Sequence, residues 1–217
     1  MLKNTVSGVA VAMLVAACAT EGVSVNTVVP ARDVGASQLR NVAVVGFSGN
    51  DGEGFTAELE SALANATLNG AAYFNVTDRQ TVRGMTGTRG ASAQDIAQIV
   101  SFGQSMGVDG VYFGDIAGID FDSKSRSATK TKCVEYDGLF DCEKREEYRV
   151  TCYDQTATYS VVPKLVDVST GSIVYSRPIS KTQNYTYCSD QTPGETRDSL
   201  LSKARSEVIA DIRWSAP

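Results

Sequence analysis

Residues 133–142 read CVEYDGLFDC, and the Asp137-Gly138 pair inside them sets how two strands of this chain should meet. A type I′ turn needs positive φ at both central positions, and Asp-Gly is among the few pairs that supply it. Pairing outward from that turn places 136 opposite 139, 135 opposite 140, 134 opposite 141 and Cys133 opposite Cys142. The same register, carried back, sets Ile119 opposite Thr156 and Val111 opposite Lys164. Strands at Gly110–Ile119 and Thr156–Val168 then form the root of one long hairpin, and Asp122–Cys152 is its projecting ribbon. Fourteen of the 31 ribbon residues are charged. On the first strand Lys124, Arg126, Lys130 and Lys132 alternate with Ser123, Ser125, Ser127, Thr129 and Thr131; the return strand carries Glu143, Lys144, Arg145, Glu146, Glu147 and Arg149. Neither face is apolar, so a solvated ribbon with cross-strand pairs such as Lys132 to Glu143 is expected. A projecting contact for another protein is the functional alternative.

An isolated ribbon is marginal in water, which gives its cysteines a purpose. Beyond Cys18 the chain has Cys133, Cys142, Cys152 and Cys188, an even set that suits an oxidising compartment. With no Cys-x-x-Cys and no histidine, a zinc site is a weak rival. Besides Cys133–Cys142, a three-residue turn at Ser169-Thr170-Gly171 brings Cys152 opposite Cys188 unless Pro163 or Pro178 adds a bulge. A 142–152 bridge would need a turn within Glu143–Thr151, which holds no Gly, Pro, Asn or Asp. Two disulfides, Cys133–Cys142 and Cys152–Cys188, are therefore expected. Closing the short loop contributes on the order of 2–3 kcal/mol.

Upstream, Val42 to Phe47 is a continuous apolar run suited to a strand covered on both faces. Phe55, Leu59, Leu63 and Ala62/Ala66 recur at helical spacing, with Asn69-Gly70 as the C-terminal stop. Phe74–Thr77 reads as a strand, Arg79–Met85 as a helical turn, and Ser92 as the cap of a helix through Ile96, Ile99/Val100, Gly103 and Met106. A fifth strand is expected at Ile173–Ser180, followed by a polar segment from Lys181 to Thr192. Leu200, Ala204, Val208 and Ile212, with Leu201 and Ile209 beside them, form an amphipathic closing helix. The order β-α-β-α-β-β-β-α makes this one α/β domain, three-layer-like, with a mixed sheet and a disulfide-stapled hairpin extension.

The N-terminus reads as an address. Lys3 precedes an apolar stretch at 6–17 that is too short to span a bilayer, since spanning takes roughly 20 residues. Val15-Ala16-Ala17-Cys18 is similar to a bacterial lipobox, so residues 1–17 are expected to be cleaved and Cys18 acylated. Ala19, rather than Asp, implies sorting to the periplasmic face of the outer membrane. Residues 18–40, which can hold an edge strand at Val23–Val29, then tether a domain at 41–217. As a flexible linker the tether reaches about 25 Å.

Composition narrows the function. The chain of 217 residues has 20 Lys+Arg, 25 Asp+Glu and no histidine. Its acidity argues against nucleic acid, whose binding needs a basic patch. Lacking histidine removes the commonest acid–base group and metal ligand. The loop from Gly49 to Gly54 sits where phosphate loops sit, but it lacks the Gly-Lys-Ser/Thr ending, and Asp51 and Glu53 repel phosphate. Asp51, Glu53, Asp78 and Arg79 could gather at the sheet's carboxyl edge, although Asp78 and Arg79 equally suit capping of the next turn. Tyr73, Tyr112, Tyr159, Tyr175, Tyr185 and Tyr187 read as structural strand residues. No cofactor, metal or catalytic set is expected.

Four blocks, in order and spacing, resemble the CsgG family of outer-membrane lipoproteins (curli secretion component and relatives). They are Val42-Ala43-Val44-Val45-Gly46-Phe47-Ser48-Gly49, Phe74-Asn75-Val76-Thr77-Asp78-Arg79, Gly107-Val108-Asp109-Gly110-Val111-Tyr112-Phe113-Gly114-Asp115-Ile116, and Leu165-Val166-Asp167-Val168-Ser169-Thr170-Gly171-Ser172-Ile173. The resemblance runs from about Asn41 to Ser180 and implies a periplasmic α/β platform. The pore hairpins of channel-forming members do not carry over, because charge at bilayer midplane costs roughly 2–4 kcal/mol per residue. The function expected is a non-catalytic accessory in secretion or envelope assembly, acting through protein contacts and allowing a homo-oligomer. The alternative is an activator of peptidoglycan synthases, whose lipoproteins have a similar small domain but a longer tether.

Overall fold

The run at 42–47 becomes the middle of the molecule. The structure, a computed structural model, describes residues 35–86, 95–138 and 141–215. Cys18, the segment expected to be a signal, the edge strand expected at Val23–Val29 and the Ser92 cap lie outside them. In β1 (Asn41–Ser48) Val42, Ala43, Val44 and Val45 are all buried. β1 pairs in parallel with β4 (Asn75–Val76) on one side and β5 (Gly110–Asp137) on the other. β5 runs antiparallel to β6 (Asp141–Asp167), whose outer edge is shared by β7 (Ser172–Ser176) and β8 (Ile179–Cys188). Among the described residues four α-helices flank the sheet: α1 (Gly52–Ala64), α2 (Arg79–Thr86), α3 (Ile96–Met106) and α4 (Arg197–Ser215).

Strand alternation divides the core in two. Val42, Val44, Tyr112, Tyr159, Val161 and Leu165 pack on one face against Phe55, Leu59 and Leu63 of α1 and Ala204, Val208, Ile209 and Ile212 of α4. Ala43, Val45, Val111, Phe113, Val166 and Val168 pack on the other with Val82 of α2 and Ile99 of α3. The three-layer α/β arrangement expected from the sequence is what the chain forms. A bulge between Val44 and Gly46, where Gly46 has φ 152°, shifts the alternation by one. Phe47 thereby joins the α1 face, its ring centre 4.7 Å from that of Phe55.

The same bulge region depends on Thr56, the one buried polar residue among those described, which accepts from Phe47 N at 3.0 Å and donates to Gly52 O at 2.6 Å. Thr56→Val keeps the shape but orphans a buried amide. Stability in urea should fall by about 1–3 kcal/mol with an unchanged slope.

Several local expectations are corrected. Asn69 (φ 53°) and Gly70 (φ 80°) do not stop α1, which ends at Ala64; they turn a small hairpin between β2 (Thr67–Leu68) and β3 (Ala71–Ala72). Asn-Gly supplies both positive φ values of a type I′ turn, so its hairpin preference wins over its capping preference. α3 is capped by Asp95, which accepts from Ala97 N. The expected fifth strand is two strands broken at Arg177-Pro178, and the segment read as a polar loop from Lys181 is most of β8.

The hairpin register also moves. Asp137 pairs with Asp141 rather than occupying the turn, so three residues separate the strands, with Gly138 at φ 76°. Bulges at Cys133/Glu135, Glu135/Tyr136 and Ile116/Gly118 change it again. As a result Ile119 lies opposite Tyr159 and Phe113 opposite Lys164, and Cys133 lies opposite Arg145. Lys132 faces Glu146, not Glu143.

Candidate functional site

The expected ribbon is built in two stages. From Ile116 to Arg126, β5 and β6 form a three-stranded sheet with β8, which pairs β6 without interruption from Cys152↔Cys188 to Val161↔Ile179. Only beyond Arg126 and Cys152 do β5 and β6 continue as two strands, so the isolated ribbon is shorter than Asp122–Cys152. At its root the Cys152–Cys188 disulfide is buried with Val150, and Ala128 and Tyr148 pack against them as a small core of their own. Asp190, just past β8, receives Lys130 Nζ at 2.9 Å and the Tyr148 hydroxyl at 2.9 Å, clipping the loop onto both ribbon strands. These bonds hold the Asp190 carboxyl below the usual carboxylate range, the lysine first and the tyrosine second.

Near the tip Cys133 and Cys142 are joined, Cα atoms 5.8 Å apart. The bulged register makes this link diagonal, since Tyr136 is the residue opposite Cys142. Charge lines the shaft, where Arg126 Nε meets Asp154 Oδ2 at 2.9 Å. The tip differs: Tyr136 is 63% exposed and Val134 41%. The sequence marked the ribbon through its charge density, but a valine and a tyrosine on either side of Glu135 left no signal to single them out.

At the sheet's carboxyl edge the four expected residues fall into separate clusters. Asp51 accepts from the Tyr159 hydroxyl at 3.0 Å and from Arg205 Nη1 at 2.7 Å, and Arg205 Nε lies 2.6 Å from Glu58. Burial opposes the Arg205 charge, yet the hydrogen bond to Asp51 and the field of Glu58 hold its pKa above the ordinary value. Glu53 instead pairs with Arg79 and Arg83. Asp78 caps α2, accepting from Gln80 N at 2.8 Å and Thr81 N at 3.1 Å. Its carboxyl is lowered, chiefly by the Thr81 hydroxyl. Asp51 thus ties α1 to α4 on one face of the sheet, a link that Arg205, about 150 residues away in sequence, could not announce. Each carboxylate is engaged internally, which suits structure rather than chemistry. Of the tyrosines, Tyr73, Tyr112, Tyr159 and Tyr175 are buried, while Tyr187 stacks with Tyr153 on β6 and with Tyr185 on its own strand.

Among the described residues no cluster of His, Cys, Asp or Glu could hold a metal, and no helix is long and apolar enough to cross a membrane. No known protein family's profile and no curated protein matches the chain. Solved structures do. The C-terminal domain of LpoB from Salmonella enterica is 15% identical, with 70% of this chain and 84% of that one covered and a TM-score of 0.37. Lipoprotein GNA1162 from Neisseria meningitidis is 18% identical, covering 80% of this chain and 97% of that one with a TM-score of 0.43. A PelC dodecamer from Paraburkholderia phytofirmans is 16% identical, with coverages of 87% and 92% and a TM-score of 0.38. All three are distant. The likeness to the CsgG family rests on the four sequence blocks alone.

Proposed function

We propose that the protein is an envelope lipoprotein, anchored through acylated Cys18, that acts by holding another envelope protein against its ribbon and carries out no reaction of its own. The observation that carries this reading is the ribbon itself, exposed along its shaft, bridged by a disulfide at root and tip, and ending in an exposed Tyr136 and Val134. Tyrosine at the end of a projecting arm is the kind of side chain that anchors interfaces, because it offers large area at low entropic cost. Cys18 stands 17 residues before Gly35, so a flexible tether would keep the domain within about 25 Å of the membrane. An accessory role in secretion or envelope assembly fits that short reach. Activation of a peptidoglycan synthase is the competing role.

The test is photocrosslinking from Tyr136 in intact envelopes, with Lys124 on the shaft as the comparison. A discrete adduct from the tip, with yield falling at least tenfold in Val134→Ser, is expected, since an anchor residue contributes about 1.4 kcal/mol or more. A secretion component or fibre subunit in the adduct supports the accessory role; a synthase supports the competing one. No adduct from the tip, with the acylated protein present at normal levels, overturns the reading.

A further inference from the structure

β8 is an edge strand of ten residues, and nothing among the described residues covers its outer side. Its backbone orientation follows from its end. Ser189 N donates to Thr151 O, whereas Cys188 N turns away to Gln191 Oε1 and Cys188 O accepts from Gln191 N. In an antiparallel ladder the residues alternate between facing the partner strand and facing away. The amides and carbonyls of Ser180, Thr182, Asn184 and Thr186 therefore point outward, while the odd-numbered residues bond to β6.

Edges this long are normally blunted by proline, inward charge or a bulge. β8 has neither proline nor bulge, its register with β6 is unbroken over ten pairs, Pro178 stands just before it, and its one charge, Lys181, is neutralised by Asp211 of α4. The outward residues are uncharged and exposed, and they are held flat by cross-strand bonds: Ser180 to Ser160 at 2.8 Å, Thr182 to Thr158 at 3.0 Å, Asn184 to Thr156 at 2.9 Å, and Thr186 to Asp154 at 2.8 Å.

We infer that β8 is the docking edge for a second copy of this chain, paired antiparallel with itself about Gln183. In that register Ser180 lies opposite Thr186 of the second copy, Thr182 opposite Asn184, Lys181 opposite Tyr185, and Gln183 opposite its own counterpart. The central pairs are hydroxyl with hydroxyl, hydroxyl with amide, amide with amide, or cation with aromatic ring, and Ile179 faces Tyr187 as apolar with aromatic. No like charges meet across the strands, which is the condition that cross-strand pairing demands. The helices also fit. α4 sits over the β6–β8 pair, through Lys181 to Asp211 at 2.7 Å and Gln183 to Glu207 at 2.7 Å. With strands about 4.8 Å apart, two copies of α4 would lie about 10 Å from each other, a normal helix-packing distance. The inference goes beyond the proposed function and does not depend on the ribbon.

Sedimentation equilibrium of the acylated mature protein in nonionic detergent tests it, with far-ultraviolet circular dichroism as the check of folding. A dimer is expected. Gln183→Cys should give an oxidised covalent dimer, because that pair faces itself without ladder hydrogen bonds between its residues. The double variant Thr182→Lys/Asn184→Lys sets lysines opposite one another while leaving the β6 ladder untouched, and dimerisation should weaken at least tenfold. A monomeric wild type overturns the inference. So does a dimer that persists unweakened in the folded lysine variant, or one in which Gln183→Cys does not crosslink.

Discussion

Cys152→Ala/Cys188→Ala lowers the stability of the domain by about 3–4 kcal/mol, or about 6–16 °C in melting midpoint for a chain of this size. The bridge spans 36 residues, including the tail of β6, all of β7 and all of β8. Releasing it restores to the unfolded chain the freedom of a long loop. Both cysteines are also buried with Val150, so their loss removes packing at the point where three strands become two. The double variant Cys133→Ala/Cys142→Ala behaves differently. Its loop spans 9 residues at the exposed end of the ribbon, a region that can open without the core. Global unfolding should move by less than half as much, while amide exchange near Tyr136 should accelerate strongly. Thermal denaturation with hydrogen exchange separates the two, and equal losses would contradict this division between root and tip.

That division also explains what the sequence could reveal. Counting outward from Ser169-Thr170-Gly171 places Cys152 opposite Cys188, and the count holds because the bulge between Leu165 and Val166 brings the strands into that register, which β7 and β8 then share across the break at Arg177-Pro178. The core was equally legible, since Val42 to Val45 and the four-residue spacing of Leu200, Ala204, Val208 and Ile212 each bury as their period implies. The tip was not. Asp137-Gly138 is a two-residue hairpin signal, yet Asp137 is drawn into the ladder and bulges absorb the difference. Bulges reflect tertiary demands on twist and leave no periodic trace. β8 escaped notice because Lys181, Gln183 and Asn184 look like loop residues. On an edge strand over α4, Lys181 and Gln183 instead find Asp211 and Glu207, and only the fold brings those four together.

Gly114→Ala should be at least as damaging as losing the root disulfide. The Gly46 bulge turns Phe47 toward α1, and the ring needs room that neighbouring strands must leave. Gly114, opposite Phe47 in the β1–β5 register, leaves it. A β-carbon there would stand 2.3 Å from Val162 O, 2.8 Å from Phe47 Cε1 and 3.0 Å from Pro163 Cα. Two of those atoms are backbone of β6, Val162 and Pro163, fixed between the β8 pairing that ends at Val161 and the β7 pairing that begins at Lys164, so neither can retreat without disturbing both ladders. Overpacking a yielding core typically costs about 1–3 kcal/mol; against fixed backbone about 3–4 kcal/mol is expected. Gly84→Ala is the control, because nothing lies within 4 Å of its added carbon and it sits inside α2, where alanine should stabilise by about 0.5–1 kcal/mol. Urea denaturation of both variants therefore gives opposite signs for the same chemical change. A Gly114→Ala protein as stable as wild type would mean that Phe47 does not occupy the α1 face, and the bulge-driven assignment of the core would fall with it.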